Sequence, residues 1–119
     1  MMKNNLIQEK SFDFAVRVVK AYQYIVEHKR EFILSKQFLR SGTSIGANIE
    51  EAIGAQSTAD FLAKLAIAYK EARETNYWIR LMSATNYFSE TEKESLLNDV
   101  IEIQKIIAKI RITTKGNNS

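Results

Sequence analysis

"RSGTSIGANIEEA", Arg40 to Ala52, is the stretch whose reading decides the fold. Its glycines, serines and threonine have the composition of a phosphate-cradling loop, while its apolar spacing is that of a helix. A Walker-A loop needs G-x-x-x-x-G-K-[ST], with the lysine on the phosphates and the hydroxyl on magnesium. Gly42 and Gly46 stand one residue too close for that pattern, and no lysine follows Gly46. A dinucleotide fingerprint needs a preceding strand and a third glycine; neither is present. The helical reading explains more. Gly42 and Gly46 are four apart and stack on one side, with Thr43 and Ala47 beside them. Each glycine costs a helix about 1 kcal/mol relative to alanine, and close approach of another helix backbone is the gain that offsets it. Asn48 falls beside Ile45, Ile49 and Ala52, so it is expected on the core side, its amide fixing register against a facing helix.

The rest of the chain has the same character. It has no proline and four glycines in 119 residues, so little interrupts a helix. Phe14, Val18, Tyr22 and Ile25 recur at helical spacing, with Ala15, Val19 and Val26 alongside. Leu34, Phe38, Ser41, Ile45, Ile49 and Ala52 trace a second face. Phe61, Leu65, Ala68, Ala72, Thr75, Ile79 and Met82 trace a third, and Leu96, Val100, Ile103, Ile107 and Ile110 a fourth. Ser57 or Thr58 suits the start of the third helix, with Asp60 in its first turn. Ser89 or Thr91, with Glu92 and Glu94, suits the start of the fourth. Gly116 and the polar residues after it read as a frayed end. The expectation is one all-α domain over residues 1–119, an antiparallel up-down-up-down four-helix bundle. Its helices fall at about 6–29, 34–55, 58–85 and 90–113.

Composition excludes several functions. The absence of cysteine removes disulfides, thiolate metal sites and cysteine nucleophiles. A single histidine, His28, removes multi-histidine metal sites. It stands near the end of the first helix, where a cation complements the macrodipole, and its expected role is structural. Glu50, Glu51, Glu71 and Glu74 raise the thought of a di-metal bundle site, but no Glu-x-x-His accompanies them. No cofactor, metal or enzymatic activity is expected, since no nucleophile, base and acid converge. MMKNNLIQEKSF lacks the apolar segment of a signal peptide, and no apolar run reaches the roughly 18 residues that span a bilayer. A soluble cytoplasmic protein is the expectation.

A net charge of +3 and a pI near 9.2 permit a polyanionic partner without demanding one. Arg17 and Lys20 lie on the first helix away from Phe14 and Val18, with Tyr24 extending their stripe. Lys36 and Arg40 lie on the second, opposite Ile45. Lys105, Lys109, Arg111 and Lys115 follow Glu102, after which there is no acid. Taken singly these are ordinary solvated faces. Repeated around an oligomer they become a field that attracts phosphate backbones without reading sequence, and there is no RNP-type, zinc-knuckle or helix-turn-helix signature.

The third helix is apolar on a second side through Ile67, Trp78 and Leu81, with Glu71 and Glu74 among them. A face beyond what one bundle needs suggests another subunit, and Tyr77 and Trp78 suit an interface. A place for Trp78 in its own core is the equal alternative. Glu74 then requires a cation: Lys70 one turn away, or Arg40 or Arg73 across a subunit boundary.

"SIGANIEE" (44–51), "FL" (61–62), "IA" (67–68) and "ARET" (72–75), in this order, resemble the small proteins encoded in intervening sequences of bacterial 23S rRNA genes, the S23 ribosomal protein family. The chain departs from that pattern at Ala52, often glycine in the family, and at Glu71, often serine. The resemblance implies an antiparallel four-helix bundle assembled as a homopentamer. The accessory variability protein of diversity-generating retroelements looks like a relative and implies nucleic-acid binding and contact with a reverse transcriptase. Two functions remain: an oligomeric bundle that binds RNA or DNA electrostatically, or a protein-binding scaffold with no nucleic-acid role.

Overall fold

The computed structural model describes residues 5–117. Four long helices follow one another: α1 (Asn5–Tyr24), α2 (Leu34–Ile53), α3 (Thr58–Ala84) and α4 (Glu90–Asn117). There is no strand among the described residues. Short connections force successive helices antiparallel, giving an up-down-up-down bundle in which α1 packs on α2 and α4, and α3 packs on α2 and α4. Helix α4 runs through Gly116 to Asn117, past the expected end near residue 113. One glycine without a following proline does not stop a helix, and Lys115 in the last turn favours the macrodipole. Asn118 and Ser119 of the expected frayed end lie outside the described residues.

The ends of the helices are specified locally. Ser57 accepts the Asp60 N–H at 3.0 Å and caps α3. Before α4, Ser89 Oγ accepts the Glu92 N–H at 3.1 Å while Glu92 accepts the Ser89 N–H at 2.8 Å, a reciprocal capping box. After α3, Asn86 adopts φ 72°; the Asn86 N–H bonds Ser83 O at 3.0 Å and the Tyr87 N–H bonds Met82 O at 2.8 Å. That pairing is a Schellman motif with asparagine at the left-handed position. Helix α1 ends in a π-helical turn, Ile25–Lys29, closed by Arg30 at φ 55°. There His28 stacks on Tyr24 with centroids 4.3 Å apart, and its Nδ1 lies 3.2 Å from Tyr24 O.

Glu31 starts α2. Its carboxylate accepts the N–H groups of Ile33, Leu34 and Ser35 at 2.9, 3.0 and 2.7 Å. Burial pushes this carboxyl up, but the three backbone donors and the Ser35 hydroxyl outweigh it and hold it below the ordinary range. A depressed carboxylate contributes stability above its unfolded pKa, near 4.3, and loses it as pH falls through the folded value. Glu31→Gln is therefore expected to cost about 0.5–2 kcal/mol at neutral pH. The deficit should shrink once pH falls below the unfolded value near 4.3, as urea midpoints at pH 7 and pH 3 would show. An equal deficit at both pH values would refute this account of the cap.

The core runs the length of the bundle. Phe14, Phe38 and Phe61 are fully buried, with Ile45, Ile49, Leu65, Ile79 and Ile107 among them. Of the face read for α2, Phe38, Ser41, Ile45, Ile49 and Ala52 are buried, with Ser35 and Gly42 beside them, while Leu34 is half-buried. Helix α1 presses on this face at the glycines. A Cβ on Gly42 would lie 2.7 and 2.8 Å from the two Cγ atoms of Val18, and one on Gly46 would lie 3.3 Å from the Ser11 carbonyl oxygen. Helix α2 can come this close to α1 only without side chains there.

Asn48 requires a correction. It is half-buried, and its Nδ2 donates to Ser44 O, one turn back on its own helix, at 2.8 Å. Among the described residues it bonds no facing helix. The polar link across the core is Ser41 with Thr75, both fully buried, their hydroxyl oxygens 2.9 Å apart. The Thr75 hydroxyl also reaches Glu71 O at 2.8 Å. Two short hydroxyls that can also lean on their own helix carbonyls satisfy themselves more cheaply than a buried amide, which carries four hydrogen-bonding positions.

Candidate nucleic-acid interface

Of the cations expected to face a phosphate backbone, two, Arg17 and Arg40, are committed to ion pairs with neighbouring helices of their own chain. Arg17 projects from α1 to α4, where it pairs with Asp99 and donates from Nη2 to Ser95 Oγ at 2.9 Å. Lys10 bridges the same two helices to Glu102 at 2.8 Å. Along this seam the helices leave a cleft of about 260 Å³ lined by Lys10, Asp13, Phe14, Arg17, Asp99, Glu102 and Ile103. The ion pairs close the seam where apolar packing does not.

Arg40 is committed in a second place. From α2 it pairs with both Glu71 and Glu74 of α3, and Trp78 Nε1 donates to the same Glu74 carboxylate at 3.0 Å. Glu74 is held below the ordinary carboxylate range first by the Trp78 N–H and also by Arg40 and Lys70, against the effect of burial. Arg40 is raised, chiefly by its bond to Glu74. Arg40 is exposed on α2 as expected, but it is engaged by these two acids of its own chain and not by an acid across a subunit boundary. Glu74 needs no cation from another subunit, because Arg40 stands on the neighbouring helix of its own chain. These pairs are part-exposed, so they position side chains more than they stabilise the fold.

The remaining cations are spread over three helices. Lys20, Lys36, Lys105, Lys109 and Lys115 are exposed and form no ion pair among the described residues. Arg111 is half-buried, its Nε out of water with no hydrogen-bond partner among the described residues. Lys105, Lys109, Arg111 and Lys115 share α4, whereas Lys20 and Lys36 stand singly on α1 and α2. The structure thus concentrates the free charge on α4 and does not gather all eight residues into one surface.

The apolar surplus is divided between α3 and α1. Trp78 is half-buried and packs against the core of its own bundle, with Tyr77 edge-on to it at 5.0 Å and exposed. Ile67 is exposed nearby. The longer exposed stripe is on α1. Phe12, Val16 and Val19 are 65%, 37% and 36% exposed, and with Ala15, Lys20 and Gln23 they line a depression of about 350 Å³. Their spacing of four and three was legible in the sequence, but it runs beside the Phe14–Val18 stripe. Val19, expected among the residues flanking the core, belongs to this outer row.

No group of three or more His, Cys, Asp or Glu residues that could hold a metal occurs among the described residues. None of their helices is long and apolar enough to cross a membrane.

Residues 3–109 match the family described as 23S rRNA-intervening sequence protein. The chain belongs to the 23S rRNA-intervening sequence protein family. A member of the S23 ribosomal protein family from Bacteroides thetaiotaomicron, of unknown function, has a crystal structure at 1.70 Å resolution. It is 52% identical, with a TM-score of 0.88 over 89% of this chain and 98% of that one. No curated protein matches. Family membership and the bundle fold therefore stand together, and neither carries an assigned chemistry.

Proposed function

We propose that this family member is a non-enzymatic, homo-oligomeric bundle that holds RNA or DNA through the phosphate backbone, as an accessory to a nucleic-acid enzyme. The observation that supports it is the second half of α4. From Ile103 to Asn117 that helix has no carboxylate, while Lys105, Lys109, Arg111 and Lys115 surround it. Such a helix attracts polyanions without distinguishing sequence, and copies of it in one assembly sum their fields. The exposed α1 stripe supports self-association, since an apolar row of this length is seldom left to water. The count of five subunits and the reverse transcriptase as the enzyme served are implied by the resemblance to the pentameric bundles and to the retroelement accessory protein.

Fluorescence anisotropy of labelled RNA and DNA tests the reading. Binding is expected at low salt, with log K falling linearly against log salt by about 0.7–0.9 per phosphate contact. Light scattering is expected to show an oligomer at micromolar concentration. A stable oligomer that ignores both nucleic acids even at low salt would favour the scaffold, for which the α1 stripe is the specific support. A monomer would remove the self-association half of the proposal.

A further inference from the structure

We infer that the outer face of α1 is the seat for the outer face of α3 of a second copy, so that copies of this chain join head to tail. This rests on the self-association half of the reading above and names the two faces that meet.

The two faces carry opposite charge. On α1 the exposed row of Phe12, Val16 and Val19 is flanked by Glu9 and Asp13, both exposed and without an ion pair among the described residues. With Gln8, Phe12 and Glu50 these acids line a second depression, of about 380 Å³, at the start of the row. On α3, exposed Ile67 and Tyr77 have Lys70 and Arg73 between them, again exposed and without an ion pair among the described residues. The acids of that stretch, Glu71 and Glu74, are taken by Arg40 of α2. Each face therefore supplies the charge that the other lacks, beside an apolar row that the other can cover, and such complementarity fixes register as well as partner.

The levels along the bundle agree. Val18 of α1 stands against Gly42, and Thr75 of α3 bonds the adjacent Ser41, so Val18 and Thr75 lie at about the same level. Ser11 stands against Gly46, five residues past Ser41, and five residues before Thr75 is Lys70. Helices α1 and α3 run in the same direction, so a second copy set alongside in the same orientation brings its α3 to α1 with these levels matched. Asp13 then falls between the partner's Lys70 and Arg73, Glu9 between the partner's Ile67 and Lys70, and Val19 beside the partner's Tyr77. Lys20 reaches that same ring, whose face accepts a cation. The two faces also lean the same way. Phe12 and Val19 follow Gln8 by four and eleven residues, on the side of α1 where Gln8 bonds Glu50 of α2. Ile67 precedes Glu71 and Glu74 by four and seven, on the side of α3 that meets Arg40 of α2. Successive copies therefore turn in one sense. A head-to-tail series that turns steadily closes into a ring, with α2 on the inside and the free cations of α4 on the outside.

Light scattering on two variants, separately and mixed, tests it. Phe12→Ser/Val16→Ser removes the α1 row, and Lys70→Glu/Tyr77→Ser spoils the α3 face. Each alone is expected to be monomeric at a concentration where the wild type is assembled. Mixed, the intact α1 of one variant meets the intact α3 of the other once only, so a one-to-one dimer is expected. Unchanged helical circular dichroism establishes that both variants fold. As a second measurement, Asp13→Arg and Arg73→Asp are each expected to weaken association by about tenfold or more, and the two in one chain to restore it. Wild-type assembly by either serine variant alone removes its face from the contact. A mixture that stays monomeric shows that the two faces do not meet, and failure of the double reversal to restore association overturns the register. A monomeric wild type overturns the self-association reading itself.

Discussion

Phe38→Ala is expected to destabilise the bundle by about 3–5 kcal/mol, the range for emptying a buried aromatic site that cannot collapse. Phe38 has no exposed surface and stands near the start of α2. Its ring meets Phe88 edge-on, with centroids 5.4 Å apart. Phe88 belongs to the α3–α4 connection, where its N–H reaches Met82 O at 3.3 Å. The pair therefore ties α2 to the turn that reverses the chain into α4, so the vacated volume lies between two elements already fixed by caps. Typical domains hold only about 5–15 kcal/mol in total, so this one substitution would leave a large fraction of the molecules near their unfolding transition at modest temperature. Urea or thermal denaturation measures the loss. Phe88→Ala, at the edge of the cluster, should cost less, and the double variant should reveal a coupling of about 0.5–1.5 kcal/mol beyond area burial. A loss under about 1 kcal/mol for Phe38→Ala would mean that this end of the core relaxes freely and that the ring pair does not fasten the turn.

The periodic part of the architecture was legible from the chain. Phe38, Ser41, Ile45, Ile49 and Ala52 form a buried row because a helix repeats every 3.6 residues, and nothing between them breaks it. The same arithmetic exposes α3 from Phe61 to Met82. What it does not supply is the choice between neighbouring rows. Asn48 lies one position from Ile49, at the edge of the stripe, and an amide that can fold back on Ser44 O gains nothing by crossing the core. Val19 sits beside Val18, yet the two end on different sides of α1. The π-helical turn at Ile25–Lys29 has no composition of its own, and it is fixed by the packing of Ile25 and the closure at Arg30.

The candidate surface was legible to a smaller degree, for an electrostatic reason. A sequence gives the sign of each charge but not which helix stands opposite. Arg17 and Arg40 look as free as Lys105 until Asp99, Glu71 and Glu74 are seen across the grooves. The absence of acid on α4 after Glu102 was the one signal visible without a structure.

Gly42→Val is expected to cost on the order of 3 kcal/mol, the upper part of the usual range for overpacking, and Gly42→Ala less but with the same sign. Two effects compete at this position. Alanine improves helix propensity by about 1 kcal/mol. Its Cβ, however, would stand 2.7 and 2.8 Å from the Cγ atoms of Val18, distances at which something must move. A valine in a helix has one strongly preferred rotamer, so Val18 cannot turn aside, and α1 itself must shift. The competition can be read directly by truncating the obstacle. In a Val18→Ala background, Gly42→Ala should change sign and stabilise by roughly 0.5–1 kcal/mol, because only the propensity gain remains. Gly46→Ala provides the contrast. Its neighbour is the Ser11 carbonyl oxygen at 3.3 Å, backbone that no side-chain truncation removes, so Val18→Ala should leave its effect unaltered. Stabilisation by Gly42→Ala in the wild-type background would show that α1 and α2 do not approach so closely. The reading of residues 40–52 as a helix pressed by its neighbour would then lose its main physical support.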